Sequence, residues 1–174
     1  MFKWKKLGKI FDPALIKDRP WISAFAQAPS TLIFEDKIRV YFACRPPIDS
    51  QGNYVSLSAY ADFSRDDPSQ LIKVCEAPLL PLGGPGSFDE FGAYFTSVIP
   101  MDKNIGKDSD EDVLAYYVGY SRCESVPFTI NIGAAIRHDG GDSFARLGRR
   151  PVFPCTLDES FVLSIPRIRP IIAS

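Results

Sequence analysis

An all-β chain assembled from repeated four-stranded units is the architecture this sequence predicts. Fifteen prolines and twelve glycines punctuate short runs rich in Val, Ile, Tyr and Phe. No segment keeps a helical period for three clean turns, and the runs recur at a near-constant interval. At 174 residues, 45% hydrophobic and 13% aromatic, the chain is long enough to bury one sizeable core.

The first set of strands is read at 28–34 "APSTLIF", 37–44 "KIRVYFAC", 54–63 "YVSLSAYADF" and 71–76 "LIKVCE". The second is read at 93–100 "AYFTSVIP", 112–119 "DVLAYYVG", 129–137 "TINIGAAIR" and 144–149 "FARLGR". Within each set the strands are lettered A to D. β-Branched and aromatic residues, which suit a pleated, half-buried surface, dominate both sets.

The two sets align. Ser30, Ser97 and Ser164 are 67 residues apart, each inside a short apolar stretch. "VYF" at 40–42 returns as "AYY" at 115–117 and "LSA" at 57–59 as "IGA" at 132–134, both shifted by 75, while "PLLP" at 78–81 returns as "PVFP" at 151–154. Four short strands per repeat, each small sheet burying its faces against its neighbours, is the pattern of β-propeller blades. "WKKLGK" at 4–9 resembles "FARLGR", which makes 1–20 a strand D belonging to a closing blade. The expected organisation is therefore one incomplete propeller domain over 1–174: that strand D, a first blade at 24–82, a second at 88–154 and the start of a third at 158–174. Two whole blades and two partial ones fall short of the usual four to eight, so a fragment or truncated frame is expected. The alternative is a β-sandwich with a duplicated hairpin unit.

Lys+Arg 20 against Asp+Glu 21 leaves a formal charge of −1. Such a balance offers no global field for phosphate backbones or anionic membranes, and no nucleic-acid partner is expected. The N-terminal apolar residues are interrupted by Lys3, Lys5, Lys6 and Lys9, which does not fit a signal peptide. No run approaches the length of a membrane span, so a cytoplasmic setting with no membrane partner is expected. Cys44, Cys75, Cys123 and Cys155 are widely spaced, and with the single His138 they form no zinc pattern. They are expected as buried free thiols, with no metal and no cofactor.

In an up-and-down blade, alternate connections emerge on opposite rims. The D-to-A and B-to-C connections share one rim, and it carries Asp89, Glu90, Asp158, Glu159, Arg45, Arg122 and Glu124. Asp89 and Asp158 stand in the recurring segments "SFDEF" and "TLDES", readable as turn residues capping backbone amides or as sugar-facing carboxylates. Strand A is usually innermost in a propeller, so residues just before it approach the axis. The opposite rim carries "RHDGGDSF" at 137–144, which looks like an Asp-box turn with Arg137 and Phe144 in place of Ser and Trp. A structural turn is the expectation there, and His138 is left out of the catalytic set.

Taken together, "GSFDEFGAYFTSVIP", "YYVGYSR" before "NIGAAI", and "DGGDSFARLGRRPVFPCTLDE" resemble uncharacterised bacterial members of the five-bladed β-propeller glycosidase-like superfamily. That superfamily includes arabinanase, xylosidase and invertase-like enzymes and mannoside phosphorylases; the resemblance covers about residues 20–168. It implies a carbohydrate ligand in a funnel at the propeller axis and a glycoside hydrolase, or a related phosphorylase or transferase. Inverting cleavage uses a carboxylic acid and a carboxylate base, about 6.5–9.5 Å apart. Where the arabinanase-like members carry the base Asp, this sequence has Gln27 and Ala28, and Gln does not titrate. By the resemblance, Asp158 is the closest counterpart of the second Asp, with Asp89 as a further carboxylate, and the acid Glu is expected beyond Ser174. Arg45 and Arg122 are readable as solvated or blade-bridging ion pairs or as contacts to sugar hydroxyls or phosphate, Gln27 is a further candidate polar contact, and Trp21 and Tyr94 are readable as core aromatics or as stacking surfaces. A non-catalytic glycan-binding propeller and an interaction scaffold are the competing functions.

Overall fold

The computed structural model describes residues 3–6, 8–101, 112–138, 140–159 and 161–168. Eight strands follow in chain order: β1 (Ala24–Ile33), β2 (Lys37–Arg45), β3 (Ser56–Ser64), β4 (Leu71–Val74), β5 (Gly92–Pro100), β6 (Val113–Arg122), β7 (Phe128–Arg137) and β8 (Ala145–Arg146). The one helical element among the described residues is a 3-10 turn at Pro13–Leu15, where Asp12 caps the amide of Ala14. No described helix is long and apolar enough to cross a membrane.

All eight strands belong to one open sheet, ordered β1-β2-β3-β5-β6-β7-β8 with β4 also paired to β3. The sheet divides into two antiparallel meanders, β1 to β4 and β5 to β8. β3 serves both: Ala61–Phe63 pair with β4, whereas Ser56 and Leu57 make a short parallel contact with Gly92 and Ala93 of β5. The described strands do not close into a ring, and they do not split into the two sheets of a sandwich. Residues 4–6 and 8–9, expected as a strand D, carry no strand, and Trp4 is 92% exposed.

The contacts that join the first meander to the second recur between the second and residues 161–168, and each meander's third strand (β3, β7) is met in the same way by the segment that follows that meander. Ser30 Oγ on β1 accepts from the amide of Val98 at 3.0 Å, and Ser97 Oγ on β5 accepts from the amide of Ile168 at 3.2 Å. Leu79 donates to the Ser58 carbonyl just as Val152 donates to that of Ile132. The parallel pairing of Ser56 with Gly92 is matched by a bridge between Ile130 and Val162. The repeat in the sequence is thus a repeat of hydrogen bonds, because Ser30 and Ser97 each fix the backbone of the following unit through a buried hydroxyl.

Between the meanders lies the aromatic centre of the core. Tyr41, Tyr60, Phe95 and Phe144 are nearly inaccessible, with Tyr41 6.2 Å from each of the other three rings and Phe95 4.5 Å from Phe144. Phe144 reaches this centre from the 137–144 turn and is pinned there by its amide to the Leu79 carbonyl at 2.7 Å; the turn's Asp139 lies outside the described residues. On that side of the molecule His138 Nδ1 faces Asp112 at 2.8 Å.

All four cysteines are free, but only Cys44 and Cys75 are buried; Cys155 is half-buried and Cys123 exposed, which corrects the expectation of four buried thiols. Cys123 lies in the hairpin just after the end of β6. Burial pushes the Cys75 thiol up to about 11 and raises Cys44 as well. The thiolate is the reactive form, so at mildly alkaline pH a thiol reagent is expected to label Cys123 first in the folded protein. Cys44 and Cys75 should react only after denaturant is added, as peptide mapping of the labelled chain would report. Rapid labelling of either without denaturant would contradict this packing.

Candidate functional site

The β2–β3 and β6–β7 hairpins emerge at the same end of the sheet and enclose a cavity of about 400 Å³. The first hairpin is shaped by Asp49, whose Oδ1 accepts from the amides of Gln51 and Asn53 at 2.9 and 2.8 Å. Those bonds, with Arg122 nearby, hold the Asp49 carboxyl below its usual pKa. Gly52 takes a φ of +79°, a conformation that favours glycine. This loop presents Asn53 and Tyr54 to the cavity.

Tyr54 then ties the two hairpins together. Its carbonyl accepts from Tyr120 Oη at 3.2 Å and from Arg122 Nη2 at 2.9 Å. Both donors sit on β6, two residues apart and therefore on one face of the strand. The Arg122 guanidinium lies 4.1 Å from the Phe91 ring centre. Arg45, at the end of β2, sits 4.6 Å from the Phe25 ring and 5.0 Å from that of Tyr54, and its Nε donates to Ser56 Oγ at 3.3 Å. Tyr94 of β5 also lines the cavity, and Phe128 packs near Tyr120 with ring centres 6.1 Å apart. Burial raises the pKa values of both Tyr94 and Tyr120, so at neutral pH they are phenols able to donate hydrogen bonds.

Three of the residues singled out from sequence, Arg45, Arg122 and Tyr94, come together in this cavity. The other four lie elsewhere. Gln27 is exposed on β1, opposite Ala43 in an irregular stretch of the ladder. Trp21 is half-buried against the core. Asp89 is 1% exposed and accepts from Tyr117 Oη at 2.9 Å and Arg146 Nε at 2.7 Å. Asp158 is exposed, in a turn closed by Thr156 and Glu159. No carboxylate lines the cavity among the described residues. Nor do those residues contain a group of three or more His, Cys, Asp or Glu placed to hold a metal ion.

Sequence reasoning missed Tyr120, Tyr54 and Phe128. For Tyr120 a signal existed: once Arg122 is placed at the rim, the two-residue period of a strand puts Tyr120 on the same face. Tyr54 contributes through its carbonyl, and a carbonyl leaves no mark on the sequence.

No family model matches the chain. The uncharacterized proteins MT1551 of Mycobacterium tuberculosis (strain CDC 1551 / Oshkosh) and Rv1502 of Mycobacterium tuberculosis (strain ATCC 25618 / H37Rv) are each 29% identical to it over 164 residues. The alignment takes in 94% of the chain and 50% of each relative. The chain spans about half the length of the curated relatives it matches.

Proposed function

We propose that the two meanders are successive blades of a glycosidase-like β-propeller, and that this part of it binds a carbohydrate in the cavity between the β2–β3 and β6–β7 hairpins. Support for the propeller comes from the hydrogen bonds that recur from unit to unit, including the bridge that begins a third unit at Val162. Relatives twice as long as the matched stretch have room for about four to five units of this spacing, within the range of propellers.

The observation that carries the ligand is the convergence of aromatic faces with fixed donors. Tyr54, Tyr94, Tyr120 and Phe128 supply surfaces of the kind on which the C–H faces of sugar rings stack, while Arg45, Arg122 and the Tyr54 and Tyr94 phenols supply donors for ring hydroxyls. A volume of about 400 Å³ is within the usual range for small-ligand sites. Binding is favoured over cleavage along this stretch, because glycoside hydrolysis requires two carboxyl groups flanking the bond and the lining residues contain none. Four free thiols accord with a reducing, cytoplasmic setting.

Calorimetric titration of the chain with a panel of oligosaccharides tests the reading. At least one is expected to bind, and Tyr94→Ala should weaken it about tenfold. Binding that Tyr94→Ala and Tyr120→Ala both leave unchanged would place the ligand outside this cavity.

A further inference from the structure

Among the described residues that line it, the cavity holds two guanidinium groups and no carboxylate, and the two are held differently. Arg122 has already committed one Nη to the Tyr54 carbonyl; its nearest acidic partner, Asp49, is 3.9 Å away and 45% exposed, which makes for a weak, solvent-screened pair. Arg45 is less engaged. Its described hydrogen bond uses Nε alone, through Ser56 Oγ at 3.3 Å, so the Nη edge of its fork has no described acceptor. The rings of Phe25 and Tyr54 flank the same guanidinium, 4.6 and 5.0 Å from it, within cation–π range.

A planar fork flanked by two rings and with no described carboxylate partner is suited to bidentate contact with an external oxyanion. The Tyr94 phenol adds a neutral donor beside it, whereas the Tyr120 hydroxyl is already given to the Tyr54 carbonyl. A neutral sugar would leave the second charge of the cavity unanswered.

We infer that the ligand is an anionic saccharide, carrying a carboxylate or a phosphate that is received by Arg45 with Arg122 beside it. This rests on the carbohydrate reading above and adds the charge of the substituent. It also gives the β2–β3 hairpin a role: the Asp49 cap holds Tyr54 where its ring flanks Arg45 and its carbonyl holds Arg122.

The test is calorimetry of the chain with four probes: galacturonate, glucose 6-phosphate, glucose and inorganic phosphate. Galacturonate or glucose 6-phosphate is expected to bind roughly tenfold to a hundredfold more tightly than glucose, the range of one charge-assisted contact, and which of the two wins identifies the anion. Arg45→Lys keeps the charge but loses the fork, and should remove most of that preference while leaving the circular dichroism spectrum unchanged. Glucose binding as tightly as both anionic sugars would overturn the charge inference and leave the carbohydrate reading standing. Phosphate binding as tightly as glucose 6-phosphate, with no response to galacturonate or glucose, would overturn the saccharide and leave the oxyanion. No binding by any of the four would overturn both, as would a preference that Arg45→Lys does not alter.

Discussion

Asp62→Ala is expected to lower the free energy of unfolding by about 3–5 kcal/mol, the range for breaking one partner out of a buried ion pair. Asp62 on β3 stands directly opposite Arg39 on β2. The pair is bidentate, with Nε to Oδ1 at 2.7 Å and Nη2 to Oδ2 at 2.8 Å, and the two residues are only 3% and 8% exposed. Removal of the carboxylate strands a guanidinium that is largely withdrawn from water. Its remaining acidic neighbour, Asp142, is 3.6 Å away and 44% exposed, and it is already engaged by Tyr60 Oη and Lys73. Stacking of Arg39 on Tyr60 at 3.6 Å holds the charge in place rather than letting it swing out. Single domains are stable by about 5–15 kcal/mol, so the loss would bring the chain close to unfolding at moderate temperature.

The same physics makes a contrasting demand of the double variant Arg39→Leu/Asp62→Leu. The pair's attraction is largely offset by the desolvation of two charges, so replacing both with apolar groups should cost far less than replacing Asp62 alone. Urea denaturation followed by circular dichroism reads both variants. If the double variant is as unstable as Asp62→Ala, the penalty does not come from a stranded charge.

What was legible in the sequence follows from where the contacts are local. β2 and β3 were placed within a residue or two of Lys37–Arg45 and Ser56–Ser64, because apolar, β-branched and aromatic residues run the length of both. β1 begins four residues before its expected start: Phe25 and Ala28 take positive φ, and the ladder shifts register on either side of Gln27, which destroys the two-residue period by which a strand is recognised in sequence. β8 was read too long, since only Ala145 and Arg146 pair with β7. The spacing of Ser30 and Ser97 is legible because both hydroxyls do one job, accepting from a backbone amide of the following unit. For the cavity, Arg45 and Arg122 were visible as charged ends of strands, whereas the link between hairpins runs through a backbone carbonyl. Most distant of all was the fate of Asp89, whose guanidinium partner lies 57 residues further on.

That partner separates the two recurring carboxylates. Asp89→Ala is expected to cost about 2–3 kcal/mol, between the values for an unpaired neutral group and a broken buried ion pair. The carboxylate joins the segment before β5 to Tyr117 on β6 and Arg146 on β8, and it fits against β6 because a side chain at Gly119 would collide with Phe88 and Asp89. Its loss leaves Tyr117 Oη without its acceptor. Arg146 keeps the Pro81 carbonyl at 2.6 Å and is 22% exposed, so water partly replaces Asp89 and the cost stays below that of Asp62→Ala. Asp158 occupies the matching place in "TLDES", but it is exposed and accepts no hydrogen bond from a described residue. Asp158→Ala should therefore change stability by no more than about 0.5 kcal/mol. Denaturation of the two variants side by side is decisive: equal effects would mean that Asp89 does not clamp β6 to β8. A large effect confined to Asp89, with saccharide binding intact in whatever fraction remains folded, would mean that its carboxylate joins strands and takes no part in holding the ligand.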